Sequence, residues 1–198
     1  MHPPNRLPSF AASARAVLTA LLLCAASAAS AAIADDDAWR TLHGGAIVLL
    51  RHATAPGVGD PQGFMLGDCR TQRNLDAKGR AEATRIGDAF RARGITVDAV
   101  LSSQWCRTHE TAELAFPGRT KDEPAFNSFF DDAANDATQT AAARALLLGW
   151  RGPGVLVVVS HQVNITALTG LFPGSGEGIV VARDGGRLKV VGRIDPSR

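Results

Sequence analysis

Two stretches decide how this chain folds: Ala46-Ile47-Val48-Leu49-Leu50-Arg51-His52 and, a hundred residues later, Val155-Leu156-Val157-Val158-Val159-Ser160-His161. Each is a short, uninterrupted run of aliphatic residues, the pattern of a strand buried on both faces rather than one exposed to water on one side. Each run then breaks into a polar pair ending in histidine. Between them, a helical pattern from about Asp76 to Arg93 places Ala83, Ile86 and Phe90 on one stripe, with Gly94 positioned to stop it. Ile95 to Leu101 reads as another strand, Thr108 to Ala115 as a helix ended by Pro117, and Thr138 to Leu148 as a further helix. Val163 to Leu171 reads as a short helix. Ile179 to Arg183 and Leu188 to Ile194, on either side of Asp184-Gly185-Gly186, read as a hairpin.

Parallel neighbours need a crossover connection, so strands alternating with helices predict a mostly parallel central sheet covered by helices on both faces. The expected fold class is therefore α/β, a three-layer sandwich with an antiparallel hairpin at one edge. No repeat or linker divides residues 35–198, which read as one domain.

The 198 residues include 21 Lys+Arg and 19 Asp+Glu. That small excess, with no basic run, gives no footing for nucleic-acid binding. Residues 1–34 begin with Arg6 and Arg15 and no acid, continue through Ala16 to Leu23, and end in an Ala/Ser-rich run. Those are the parts of a cleaved secretory signal peptide, with cuts after Ala31, Ala32 or Ala34 each having small residues at the required positions. The apolar core falls short of the roughly 20 residues of a membrane span. Loss of Arg6 and Arg15 would leave 19 basic against 19 acidic residues, a neutral domain with no stable membrane span. The expected localisation is periplasmic or secreted.

Export bears on Cys69 and Cys106. An oxidising compartment permits a disulfide between them, which would add on the order of 3–4 kcal/mol by closing its loop. Two separate buried thiols remain the alternative. No paired Cys/His spacing points to zinc, and no metal or cofactor is expected.

Ligands of open α/β sheets bind outside the carboxyl ends of the strands. There the sequence places Arg51-His52, Ser102-Ser103 followed by Arg107, and Ser160-His161. Two guanidiniums and two imidazoles suit a tetrahedral dianion, because arginine contacts phosphate oxygens in pairs and neutral imidazole is a competent nucleophile. A Walker loop, a G-x-S-x-G elbow and an H-E-x-x-H helix are all absent from the sequence.

Leu50-Arg51-His52-Ala53, Ser102-Ser103 with Arg107-Thr108-His109-Glu110-Thr111-Ala112, and Ser160-His161 resemble, in that order, the histidine phosphatase superfamily with its phosphoglycerate-mutase-like fold. Arg73-Asn74-Leu75-Asp76 and Gly79-Arg80 make the chain more similar to small phosphohistidine-phosphatase-like members than to mutases. The resemblance implies that His52 attacks phosphorus while Arg51, Arg107 and His161 hold the phosphoryl oxygens. It implies an acid for the leaving group, but the matching position after Asn127 is Ser128, so Asp131 is the candidate, with Asp132 beside it. Arg73 touches either the substrate or its surroundings. The expected partner is a small phosphorylated substrate, with an envelope glycolipid or a sugar phosphate as candidates by analogy. The alternative is a non-catalytic phosphoryl-binding or interaction domain that has lost the acid.

Overall fold

The computed structural model describes residues 36–197, so the leader assigned to residues 1–34 lies outside the described residues. Six strands form one sheet: β1 (Ile47–Arg51), β2 (Val97–Ser102), β3 (Thr120–Asp122), β4 (Val155–Ser160), β5 (Gly178–Asp184) and β6 (Arg187–Ile194). Their order across the sheet is β3-β2-β4-β1-β5-β6. The first four run parallel, whereas β5 is antiparallel to β1 and β6 to β5. The antiparallel pair at one edge is joined by Gly185 and Gly186, both at positive φ (54° and 79°), as a tight two-residue hairpin turn demands.

Among the described residues five α-helices accompany the sheet: α1 (residues 36–42), α2 (Ala77–Ala92), α3 (Cys106–Ala115), α4 (Asp136–Gly149) and α5 (Gln162–Thr169). Asp76 caps α2 by accepting from the Gly79 N–H, and Gly170, at φ 75°, stops α5. Two large apolar cores, one on each face of the sheet, result from the period of two along the central strands. Val48, Leu50, Val157 and Val159 pack under α1, α2 and α3 with Ile86 and Phe90, while Ile47, Leu49, Leu156 and Val158 pack under α4 and α5 with Leu147 and Ile165. That is the three-layer α/β architecture expected from the alternation.

Two elements depart from the sequence reading. The helix at residues 36–42 buries Trp39 and Leu42, and Trp39 meets Phe90 edge-on at 5.2 Å between ring centroids. β3 is only three residues long, polar and largely exposed, so it carries no apolar signal. Among the described residues no helix is long and apolar enough to cross a membrane.

Candidate active site

Because β1, β2 and β4 are parallel and adjacent, their carboxyl ends open on one rim of the sheet. Arg51 ends β1 with His52 next in the chain, Ser103 follows β2, and His161 follows β4 as the residue preceding α5. Arg107 reaches the same rim from the first turn of α3. A cavity of about 150 Å³ there is lined by Arg51, His52, Arg73, Arg107, Asp131 and His161, so the residues singled out in the sequence converge on one place.

His52 is buried, and its Nδ1 lies 2.7 Å from the carbonyl oxygen of Ala53. A carbonyl only accepts, so Nδ1 carries the proton and Nε2 keeps its lone pair. Burial, followed by the charge of Arg107, lowers the His52 pKa to about 3, with Arg51 and Arg73 acting in the same sense. The ring is therefore neutral, with a free nitrogen. Its backbone is pinned on both sides, by the Ser160 carbonyl that accepts the His52 N–H at 3.0 Å and by the Thr111 hydroxyl that accepts the Ala53 N–H at 3.1 Å.

His161 stands 5.6 Å from His52, ring centroid to ring centroid. Its Nδ1 faces Nη2 of Arg107 at 3.4 Å, and its Nε2 lies 2.8 Å from the Ser103 hydroxyl. Guanidinium only donates, so Nδ1 accepts and Nε2 donates to Ser103 Oγ. Burial first, then the neighbouring imidazole and the arginines, hold the His161 pKa well below its ordinary value. Both ring nitrogens are engaged, and a phosphoryl oxygen is held by this side chain only by displacing Ser103 as acceptor of the Nε2–H.

Asp60 carries no signal in the sequence, where it is one of several polar residues in a Gly/Pro-rich loop. Its carboxylate receives Arg107 Nη1 at 2.9 and 3.0 Å, Trp105 Nε1 at 3.0 Å and the Arg73 backbone N–H at 3.0 Å. Both side chains of the Asp60–Arg107 pair are only 4% exposed. Burial alone would raise the Asp60 pKa, but the Arg107 hydrogen bond, the Arg73 N–H, the Arg107 charge and the Trp105 N–H together hold it below the usual carboxylate value. Arg107 is thus an oriented group whose Nη1 and Nη2 are committed to Asp60 and His161, while its Nε is buried without a protein acceptor. Arg51 gives Nη1 to the Pro173 carbonyl at 3.0 Å, and its Nε likewise lacks a protein acceptor. Burial, and for Arg51 the nearby Arg107 charge, lowers the pKa of both guanidiniums. A cluster of incompletely paired cations of this kind is complementary to an anion with several acceptor oxygens.

Arg73 lines the cavity, but its guanidinium donates to the carbonyls of Ala55 at 2.5 Å and Gly59 at 2.7 Å, which fixes the loop that carries Asp60. Asp131 also lines the cavity, on its exposed side, and its charge acts on Arg107. Ser128 is at the same mouth. Glu82, on the polar side of the α2 pattern, is buried; it accepts the Thr54 N–H at 2.8 Å and faces Arg51 electrostatically. Cys69 and Cys106 form a disulfide, which ties the loop of Asp60 and Arg73 to the first turn of α3 immediately before Arg107. Gln72 reinforces that tie by accepting the Cys106 N–H at 3.0 Å. Among the described residues no group of three or more His, Cys, Asp and Glu side chains is arranged to hold a metal ion.

The sequence model of the histidine phosphatase superfamily (branch 1) matches residues 47–126, a segment that holds Arg51, His52, Arg73 and Arg107. No curated protein matches the chain. Solved structures of the same fold include the putative phosphohistidine phosphatase SixA from Agrobacterium tumefaciens, 20% identical with a TM-score of 0.54 over 76% of this chain and 97% of that one. Bacillus stearothermophilus YhfR is 16% identical with a TM-score of 0.57, covering 73% of this chain and 94% of its own. A mycobacterial glucosyl-3-phosphoglycerate phosphatase, Rv2419c, solved with inorganic phosphate, is 14% identical with a TM-score of 0.57, covering 77% and 99%. The matched segment and the shared fold agree with the resemblance that the motifs carry.

Proposed function

We propose that the protein hydrolyses a phosphomonoester through a phosphohistidine on His52. The observation that carries this reading is the neutral His52 ring, with its proton fixed on Nδ1 by the Ala53 carbonyl and its Nε2 free, in a cavity shared with Arg51, Arg107 and His161. In the first step the Nε2 lone pair forms a bond to phosphorus as the ester P–O bond breaks, and the leaving oxygen takes a proton. In the second, water attacks the phosphohistidine, passes its proton to the Asp131 carboxylate, returns the nitrogen lone pair and releases inorganic phosphate. Arg51 and Arg107 stabilise the charge that spreads over the phosphoryl oxygens in both steps. His161 joins them once a phosphoryl oxygen displaces the Ser103 hydroxyl as acceptor of its Nε2–H. Asp131 donates the proton to the leaving group from the open side of the cavity, and Asp60 orients Arg107.

The match to the superfamily model supports chemistry at a histidine, and Rv2419c is by its name a phosphatase of a small phosphorylated compound, glucosyl-3-phosphoglycerate. Sugar phosphates and the phosphorylated sugars of envelope glycolipids are the substrates proposed by analogy. Export to an oxidising compartment is part of the same proposal, supported by the leader-like residues 1–34 and by the disulfide. The test is hydrolysis of a generic aryl phosphate by the purified protein. His52→Ala is expected to abolish it; undiminished activity in that variant defeats the proposal.

A further inference from the structure

The cavity floor is cationic, but one side of its mouth is apolar. Val58 stands between Gly57 and Gly59, whose positive φ values of 91° and 65° form a bend that turns it outward, and it is 88% exposed. Phe130 is 53% exposed, and its ring edge lies 3.9 Å from where a Cβ on Gly59 would stand, so the two loops meet at the opening. Both side chains line the cavity together with Val163. Neither Val58 nor Phe130 belongs to the two large cores, and each holds its apolar surface towards solvent beside the phosphoryl-binding groups.

The volume and the charges say what would cover them. At about 150 Å³ the cavity takes a phosphoryl group but not a sizeable leaving group, being well below the roughly 300 Å³ at which pockets begin to enclose drug-sized molecules. The leaving group therefore lies across the mouth. Of the charged residues that line the cavity, Arg107 is paired with Asp60, Arg73 is bonded to the Ala55 and Gly59 carbonyls, and Arg51 to the Pro173 carbonyl. Asp131 alone among them is exposed. A leaving group with a carboxylate or a second phosphate would find no exposed cation there to pair with.

We infer that the substrate is a phosphomonoester of an uncharged alcohol or phenol with an apolar face, which rests against Val58 and Phe130. This rests on the phosphatase reading and narrows its substrate class. The experiment compares kcat/KM for 1-naphthyl phosphate and for 3-phosphoglycerate in the wild type, Val58→Ser and Phe130→Ser, with inorganic phosphate binding measured by calorimetry to verify that each variant holds a folded site. The wild type is expected to favour the naphthyl ester by at least about tenfold, and Phe130→Ser to reduce that preference by roughly tenfold, chiefly through KM, as loss of a contact of ring size implies. Equal use of the two esters, a preference for 3-phosphoglycerate, or an unchanged ratio in both variants overturns the inference while leaving the phosphatase reading intact. No hydrolysis of either ester by the wild type, with no phosphohistidine formed, defeats the phosphatase reading and the inference with it.

Discussion

Replacing Asp60 by alanine tests whether the loop after His52 is part of the machinery or a passive rim. In the structure its carboxylate accepts from Arg107, Trp105 and Arg73, and the Asp60–Arg107 pair is 4% exposed on each side. Removing one partner of a buried ion pair leaves the other charge desolvated and unmatched, at a cost of roughly 3–5 kcal/mol. The cavity beside Arg107 admits water, which places Asp60→Ala at the lower end, about 3 kcal/mol. For a domain of this size that corresponds to a fall in Tm of roughly 6–12 °C. The assay is thermal unfolding followed by circular dichroism at neutral pH, with kcat/KM on an aryl phosphate measured alongside. Activity should fall by about 10²-fold, since Arg107 loses the contact that orients it. The pH dependence has a definite sign. Asp60 has a depressed pKa in the folded state, so its contribution is complete above the ordinary carboxylate pKa of about 3.9 and is lost as pH falls through the lower folded value. The gap between wild type and variant should therefore narrow below about pH 4. A variant within about 1 °C of wild type at neutral pH, with unchanged kcat/KM, would refute the reasoning.

Three further outcomes follow from the same geometry. His52 and His161 are buried and neutral with lowered pKa values, so stability should decline as pH falls below about 6.5, by up to about 1.4 kcal/mol per pH unit for each. Urea unfolding at pH 7 and pH 5 measures this, and equal stability at the two would contradict it. Reduction of Cys69–Cys106, which spans 37 residues, should cost about 3–4 kcal/mol and loosen the Asp60 loop, read as a lower Tm and a lower kcat/KM after dithiothreitol treatment. An unchanged Tm would show that the bond constrains nothing. Gly87→Ala should destabilise by about 2–3 kcal/mol, because a Cβ there would stand 2.1 Å from the Ala115 carbonyl oxygen where α2 crosses α3. Chemical denaturation checks it, and a loss below about 0.5 kcal/mol would show that the helices part readily.

The sheet centre was legible because β1 and β4 are buried on both faces, so that every residue from Ile47 to Leu50 and from Val155 to Val159 had to be apolar. Helix α2 was legible from its stripe, its Asp76 cap and Gly94. The edge strand β3 was not: Thr120, Lys121 and Asp122 have one strand neighbour and little burial, and such a segment can be polar. His52, His161, Arg51 and Arg107 were legible because each ends or follows a strand or opens a helix at the rim. Asp60 was not, since a loop acid acquires its partner only when the chain folds, and nothing at Gly57-Val58-Gly59-Asp60 encodes Arg107 nearly fifty residues away. Glu82 was not legible for a related reason. Its place on the charged side of the α2 pattern reads as solvated, yet the loop after His52 folds over it and supplies the Thr54 N–H.

The central claim is a covalent bond between phosphorus and His52 Nε2, and quenching the protein in mid-turnover with alkaline detergent, after mixing with a phosphomonoester radiolabelled at phosphorus, addresses it directly. The account predicts label on the peptide containing His52, lost on mild acid treatment, stable to alkali and absent from His52→Ala. Saturable phosphate binding without adduct or turnover would mark the protein as a phosphoryl-binding domain. Hydrolysis that continues at wild-type rate in His52→Ala would contradict the account outright.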